Sequence, residues 1–197
     1  MPRRMSQSHD ELRLRTIDLA DAIVRAEGLQ GLTVRRLAVA LGCSVGTLYN
    51  LFADLDEIVL HVAARVLDDM WEAVFAAELP EEPVERLVEI ARRYVRFAAA
   101  EPRAWTMVFE HEPTHDRPTP EWHLARVARL VEDLRAAVAT ALGGPPAEDV
   151  AAIVDLLWAA VHGIAALGLR GKLGFVAGTE AEALAERAVR TVLSARP

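Results

Sequence analysis

The sequence contains a single cysteine, Cys43, among 197 residues. One thiol cannot form an internal disulfide bond or a cysteine-only zinc site, and few cysteines are typical of a reducing compartment. The first residues include no apolar stretch of the kind that a secretion signal requires. These absences predict a cytoplasmic protein without a disulfide framework.

No segment of any length alternates apolar and polar residues with the two-residue period of a half-buried strand. Apolar residues recur instead at helical spacing, between capping residues such as Ser8, Thr33 and Ser44 and terminators such as Gly28 and Gly42. Hydrophobic residues make up 52% of the chain and charged residues 26%, which argues against disorder. We therefore predict an all-α fold of about nine helices.

The one long apolar run, residues 150–169, has about the length of a membrane-spanning helix. Asp155 and His162 interrupt it near its middle, and it is rich in alanine. A buried helix of a soluble protein is therefore the favoured interpretation, and we expect no membrane partner.

Acidic residues outnumber basic residues by 29 to 22, and the net charge of −7 counts against binding to nucleic acid. The charge is unevenly distributed, however. Residues 1–52 contain seven arginines and five acidic residues, a net charge of +2, which leaves 15 basic and 24 acidic residues and a net charge of −9 in residues 53–197. This asymmetry is a weak indication of a nucleic-acid module joined to a second domain.

Residues 33–52 contain the most informative pattern, two short amphipathic helices joined by a turn at Gly42. This pattern predicts a helix-turn-helix, whose second helix enters the major groove of DNA. Three residues of that region are predicted to turn inward: Val45, Leu48 and Phe52. Thr47 and Asn50 then face outward with groups suited to base edges, and Gly46 allows close approach. Ser44 and Tyr49 can reach phosphates.

These residues resemble the DNA-binding domain of the TetR family of bacterial transcriptional regulators. The resemblance covers residues 10–60 and rests on a first helix ending at Gly28, on TVRRLA at 33–38, on SVGTLY at 44–49, and on Phe52. Trp158, His162 and Gly163 are similar to the Trp/His/Gly pattern of one C-terminal subgroup.

The resemblance implies a homodimer with two helix-turn-helix heads on a palindromic double-stranded DNA operator. It also implies a larger helical bundle that holds a small-molecule effector and pairs through its last two helices. We accordingly predict a three-helix DNA-binding domain at residues 1–53 and an effector-binding and dimerisation domain at residues 54–197.

The family often has a lysine at the start of the fourth helix, where this chain has Leu55 between Asp54 and Asp56. The phosphate contacts are therefore expected from arginines near the motif, although Arg35 and Arg36 could also be only a solvated helix face. The residues expected at DNA are Arg3, Arg4, Thr33, Arg35, Arg36, Ser44, Val45, Gly46, Thr47, Tyr49 and Asn50.

Aromatic residues fall on the predicted helices where the resemblance places an effector cavity, and two histidines could supply polar groups there. Each of these residues alone is more often part of the core than of a ligand site. The expected effector-binding residues are Trp71, Phe75, Tyr94, Phe97, Trp105, Phe109, Trp122, His123, Trp158 and His162.

The helix over residues 148–170 is apolar on nearly every face, and the last helix has one apolar stripe. A four-helix interface between two chains would cover both, although a central helix of a monomer is the alternative. The residues expected at the dimer interface are Val150, Ile153, Val154, Leu157, Val161, Ile164, Leu184, Ala188 and Val192.

Together these patterns predict a ligand-responsive transcriptional repressor without cofactor, metal site or enzymatic activity. One alternative is a helical ligand-binding or adaptor protein without DNA affinity. A small enzyme using Asp155 and His162 is disfavoured because about 10 Å of helical rise separates the two. A metal site at His111, His115 and Asp116 is disfavoured because Pro113 interrupts the segment.

Overall fold

Side-chain caps begin the first two helices at the residues that the sequence predicts. The Ser8 hydroxyl oxygen accepts the backbone N–H of Glu11 at 3.1 Å. The Thr33 hydroxyl oxygen accepts the N–H of Arg36 at 3.2 Å. Gly42 ends the second helix in the left-handed conformation with φ of 69°, which glycine adopts without steric cost. Local backbone chemistry therefore sets these boundaries.

The computed structural model describes residues 8–112, 114, 117–144, 146–175 and 178–194. These residues form nine α-helices and no strand, which confirms the all-α prediction. The helices are α1 (His9–Glu27), α2 (Val34–Leu41), α3 (Val45–Tyr49), α4 (Leu55–Trp71), α5 (Pro83–Ala100), α6 (Pro102–Glu110), α7 (Glu121–Leu142), α8 (Ala147–Leu169) and α9 (Ala181–Ser194). Short 3₁₀ turns occupy Leu29–Gly31 and Leu173–Phe175.

Two of the helices end earlier than their sequence patterns predict. α3 ends at Tyr49 rather than near residue 52, and the N–H of Leu51 bonds back to the carbonyl of Leu48 at 2.9 Å in a tighter turn. α4 ends at Trp71 rather than Glu78, and the chain continues as a π-helical turn over Glu72–Ala76. The spacing of apolar residues alone does not predict such a change in backbone hydrogen bonding.

The start of α7 also differs by one residue. Pro120, rather than Thr119, is the N-cap, because its ψ of 146° is extended and the helical conformation begins only at Glu121.

The chain divides into two compact units. The first contains the residues up to Val66 together with Arg103–Thr119, and the second contains Leu67–Pro102 and the residues from Pro120 on. The first unit is thus larger than the predicted domain 1–53, since it also contains most of α4 and of α6. The functional division at residue 53 stays a prediction.

Each unit has its own core. In the first, the fully buried side chains include Val24, Leu37, Leu48, Ile58 and Trp105. In the second, α5 packs against α7, α8 and α9. The α5–α9 contact also carries ion pairs, with Arg92 2.6 Å from Glu186 and Arg96 2.8 Å from Glu182.

Candidate DNA interface and effector region

The predicted recognition helix, α3, is short and is fixed by its cap and by one buried side chain. The Ser44 hydroxyl oxygen accepts the N–H of Thr47 at 3.0 Å and lies 2.8 Å from the Thr47 hydroxyl oxygen. Leu48 is 1% exposed and Phe52, just beyond the helix, is 2% exposed. The expected inward positions of these two residues are confirmed.

Val45 does not turn inward. It is 37% exposed, because it is the first residue of α3 and its Cβ points back beyond the packed turn. Gly46, Tyr49 and Asn50 are also exposed, and Thr47 is half-buried. These five residues form one accessible surface, which we call the α3 face. It carries hydroxyl, amide and methyl groups and no acidic side chain.

Gly46 has open space around it. A Cβ at this position would meet nothing closer than the Ser44 hydroxyl oxygen at 3.7 Å, which is ordinary van der Waals contact. The fold therefore does not require glycine at this position. Because glycine has no side chain, the middle of the α3 face does not protrude.

The two arginines of α2 differ in their surroundings. Arg36 lies 2.6 Å from Oε2 of Glu27 and 3.1 Å from the carbonyl oxygen of Gly31. The hydrogen bond between the side chains lowers the pKa of Glu27 and raises that of Arg36. Arg35 is exposed and has no ion-pair partner within residues 8–112. The charge of Arg36 is thus balanced by Glu27, whereas no described residue balances that of Arg35. Arg3 and Arg4 lie outside the described residues.

The acidic residues on either side of Leu55 have partners in the segment after α6. Oδ2 of Asp56 accepts the N–H of Thr114 at 2.8 Å, and Oδ1 of Asp56 lies 3.2 Å from Nε2 of His111. Asp54 pairs with Arg117. Residue spacing predicted only a disfavoured metal site in this segment and none of these contacts. Its positive and donor groups offset the two acids next to α3.

No group of three or more potential metal-ligating side chains occurs in the described part of the chain. Of the proposed metal ligands, His115 and Asp116 lie outside that part. His111 is instead next to Asp56.

The expected effector residues form separate groups. In the second unit, the hydroxyl oxygen of Tyr94 lies 2.9 Å from Nδ1 of His162. Trp158 stacks on His162 with ring centroids 4.9 Å apart and remains 47% exposed. This Tyr94–His162–Trp158 cluster offers an accessible aromatic face next to polar groups. Phe97 is buried in the core of the same unit.

A second group surrounds Trp71 in the same unit. Its indole N–H donates to Asp133 at 2.6 Å, and the guanidinium carbon of Arg129 lies 3.2 Å from the ring centroid. Phe75 stacks beside it at 6.5 Å. The indole N–H has a partner and the ring contacts a guanidinium group, so both already interact with other side chains of the same unit.

The remaining members of the effector set lie apart in the sequence. Trp122, at the start of α7, is exposed and has His123 edge-on at 5.7 Å. Trp105 and Phe109 belong to the first unit, where their rings are 4.9 Å apart and Trp105 is buried. The predicted set therefore does not fall within one unit.

The structure corrects the face of α8 that was expected at the dimer interface. Five of the predicted residues are buried inside their own chain: Val150, Val154, Leu157, Val161 and Ile164. Ile153 is half-buried. α5, α7 and α9 cover this face, so a second chain cannot reach it. The opposite face exposes Leu156, Ala159 and Leu167, with Gly163 half-buried among them. On α9, Leu184, Ala188 and Val192 are half-buried.

Ala147–Leu169 is also the one described helix that is long and apolar enough to cross a membrane. Six of its residues are buried inside the chain. Core helices pass the same test of length and composition, so the match is weak evidence for a membrane span.

Solved structures with a similar fold include proteins described as TetR family transcriptional regulators. The chain is similar to a possible TetR family transcriptional regulator from Streptomyces coelicolor A3(2), with a TM-score of 0.66, 20% identity, and coverage of 92% of this chain and 97% of that chain. It is also similar to the TetR family transcriptional regulator PfmR from Thermus thermophilus, with a TM-score of 0.61, 21% identity, and coverage of 91% of this chain and 97% of that chain.

A Rhodococcus sp. RHA1 protein of unknown function has a TM-score of 0.71 and 23% identity over 98% of both chains. No curated relative matches the chain. The sequence model of the tetracyclin repressor-like C-terminal domain matches residues 87–192, which is more than half of the chain. The chain therefore belongs to the TetR family of transcriptional regulators.

Proposed function

We propose that this regulator is a homodimeric repressor that binds a palindromic operator and is released from it by a small-molecule effector. The observation that carries the proposal is the accessible α3 face, held in place by the buried Leu48. Two such helices in a dimer would enter successive major grooves with centres about 34 Å apart. Side-chain hydroxyl and amide groups on this face suit both base edges and phosphates.

Base contacts in this proposal come from the α3 face, and phosphate contacts come from the surrounding residues. Asn50 can pair with adenine through its amide, and Thr47 and Val45 can contact thymine methyl groups. Phosphates of the DNA backbone accept hydrogen bonds from the hydroxyl groups of Tyr49, Ser44 and Thr33. Positive charge for the same phosphates comes from Arg35, Arg36, Arg3 and Arg4. Arg36 would have to exchange Glu27 for a phosphate, which an exposed ion pair allows at little cost.

The second chain of the dimer packs on the exposed face of α8. Leu156 and Leu167 would otherwise leave apolar surface in water, and Ala159 and Gly163 between them allow two helices to approach closely. Leu184, Ala188 and Val192 of α9 complete the interface at its edge. Such a face would meet its own copy across a two-fold axis.

The effector binds in the second unit, with the Tyr94–His162–Trp158 cluster as part of its site. An accessible indole beside an imidazole and a phenol combines apolar area with a few orienting polar groups, as ligand sites do. The effector releases DNA because it binds more tightly to the conformation that does not bind DNA. The protein then acts in the cytoplasm, without a cofactor, a membrane partner or an enzymatic activity of its own.

The alternative is a ligand-binding or adaptor protein of the same fold that has lost DNA affinity. The acidic residues beside Leu55 favour it, but both have partners in the chain. A gel-shift assay with the DNA upstream of the protein's own gene, at low salt, separates the two functions. We expect a shifted complex of one dimer per site, with the dimer verified by light scattering.

Thr47→Ala is expected to weaken that complex without dissociating the dimer. The matched control is Thr119→Ala, the same change at an exposed position before α7. Absence of any shift with a folded wild-type dimer would refute regulation at that site. Equal binding by both threonine variants would show that α3 is not the recognition helix.

A further inference from the structure

The guanidinium group of Arg13 joins three helices of the first unit. Its Nη1 donates to the backbone carbonyl oxygen of Leu51, two residues after the end of α3. Its Nη2 lies 2.6 Å from Oε1 of Glu57 and 2.7 Å from Nε2 of His61, both on α4. The guanidinium carbon lies 4.3 Å from the centroid of the buried Phe52 ring.

These contacts use properties that only arginine combines. Its planar group carries five N–H donors in a fixed fork, so its two terminal nitrogens can serve a carbonyl, a carboxylate and an imidazole at once. The face of the same plane can rest on an aromatic ring. Arg13 belongs to α1, and its side chain is 31% exposed, so water only partly competes for its bonds.

We propose that Arg13 is a positioning residue for DNA binding, which fixes the C-terminal end of α3 to α4 with neutral His61 as one of its acceptors. Leu51 and Phe52 lie two and three residues beyond the end of α3, so the place where their backbone is held determines how the α3 face is presented. The cap at Ser44 holds the other end. The proposal rests on DNA binding by α3 and does not depend on repression, on an effector or on the dimer interface.

His61 makes this arrangement sensitive to pH. Arg13 has donors only, so Nε2 of His61 must be unprotonated to accept its hydrogen bond. Protonation would place a second positive charge 2.7 Å from the guanidinium nitrogen. Oε1 of Glu57, 3.9 Å from Nε2, would then attract the imidazolium and draw the carboxylate away from Arg13.

Two further neighbours of His61 in the described part of the chain leave this competition in place. The end of α3 contributes the uncharged ring of Phe52, edge-on at 6.2 Å. One turn further along α4, Arg65 is paired with Asp18 of α1 at 2.6 Å. That pair balances its own charge, and Glu57 is a carboxylate that contacts both Arg13 and His61.

Four variants test the proposal in the full-length protein. Arg13→Gln removes the charge and the fork, and Arg13→Lys keeps the charge alone. His61→Gln keeps an acceptor but does not titrate. Arg65→Gln is the matched control, because it breaks another ion pair between α4 and α1 without touching the end of α3. Operator affinity is measured by fluorescence anisotropy between about pH 6 and 8, where an unperturbed histidine titrates.

Arg13→Gln is expected to weaken operator binding by about tenfold near neutral pH, as the loss of a charge-assisted hydrogen bond would. Arg13→Lys is expected to recover part of that loss, and Arg65→Gln to bind like the wild type. Wild-type affinity should fall by at least about threefold between pH 8 and 6, whereas His61→Gln should show no such fall. Equal pH profiles for the wild type and His61→Gln would overturn the proposal, and so would wild-type affinity in a folded Arg13→Gln dimer.

Amide hydrogen exchange tests the same contact without DNA. Protection of the Leu51 and Phe52 amides should fall in Arg13→Gln, and it should fall in the wild type but not in His61→Gln as pH decreases. The amides of α2 serve as the internal reference. Unchanged protection at the end of α3 in these comparisons would refute positioning by Arg13 even if no operator were bound. If Arg13→Gln does not fold, the comparison of the wild type with His61→Gln decides alone.

Discussion

The hydroxyl oxygen of Tyr94 lies 2.9 Å from Nδ1 of His162 and links α5 to α8. The bond orients the imidazole so that Trp158 stacks on it and keeps one accessible ring face. Tyr49, the other tyrosine of the chain, is exposed on the α3 face. Tyr94 therefore makes a structural contact within the chain, whereas Tyr49 is proposed to contact DNA.

Removal of the two hydroxyl groups should affect different properties of the protein. Tyr94→Phe is expected to lower the free energy of unfolding by about 1 kcal/mol, because His162 loses a partner in a half-buried site. Tyr49→Phe is expected to leave stability unchanged and to weaken operator binding. Urea denaturation measures the first effect and fluorescence anisotropy the second. A loss of stability in Tyr49→Phe that matches the loss in Tyr94→Phe would contradict the assignment.

Gly46→Ala should make the protein more stable and a poorer DNA binder. A Cβ fits at this position in the free chain, and alanine is favoured over glycine within a helix by up to about 1 kcal/mol. The added methyl group would occupy space on the α3 face that a base pair needs. We expect an unchanged or higher melting temperature and a large loss of operator affinity.

Gly174→Ala is the control for this change, because an added Cβ fits there too, with nothing within 4 Å, and the residue lies in the second unit. It should not alter DNA binding. Full operator affinity in Gly46→Ala would show that α3 does not approach the bases closely.

The features that the sequence predicted correctly are those that depend on neighbouring residues. The caps at Ser8 and Thr33 and the left-handed turn at Gly42 follow from hydroxyl groups and glycine at fixed positions next to an apolar pattern. The helix-turn-helix follows in the same way. Such local rules predict where helices begin and end along the sequence, but they do not predict how the helices pack against one another.

The features that the sequence did not predict depend on distant partners. α8 is apolar on almost all sides, so its pattern could not reveal that Val154 and Leu157 face α5, α7 and α9 while Leu156 faces outward. Arg13 meets residues about 40 positions away along the chain, and nothing in the spacing of α1 marks it as different from Arg15. Contacts between residues that are distant in the sequence become visible only in the folded structure.

Adjacent leucines of α8 should respond differently to the same substitution. Leu157 is 3% exposed, so Leu157→Ala is expected to lower the free energy of unfolding by about 2–5 kcal/mol. Leu156 is 53% exposed, so Leu156→Ala should leave the unfolding of an isolated chain nearly unchanged and weaken the dimer. Urea denaturation at several protein concentrations, combined with analytical ultracentrifugation, separates the effects. A wild-type dimerisation constant in Leu156→Ala would exclude this face of α8 as the interface.

Glu57 should make the first unit sensitive to acid. Burial raises the pKa of its carboxyl group, but the hydrogen bond from the Ala53 N–H and the hydrogen bond and charge of Arg13 outweigh it, so the pKa lies below its usual value. A carboxyl whose pKa is lower in the folded state stabilises the fold above its unfolded pKa of about 4.3, and this contribution is lost as pH falls through the folded pKa.

Glu57→Gln should therefore be less stable than the wild type by about 1 kcal/mol near neutral pH, and the difference should disappear in strong acid. Urea denaturation across this pH range measures it, with Glu72→Gln on the exposed π-helical turn as the control. A difference between the wild type and Glu57→Gln that stays constant down to the lowest pH would show that the loss comes from packing and not from the carboxylate.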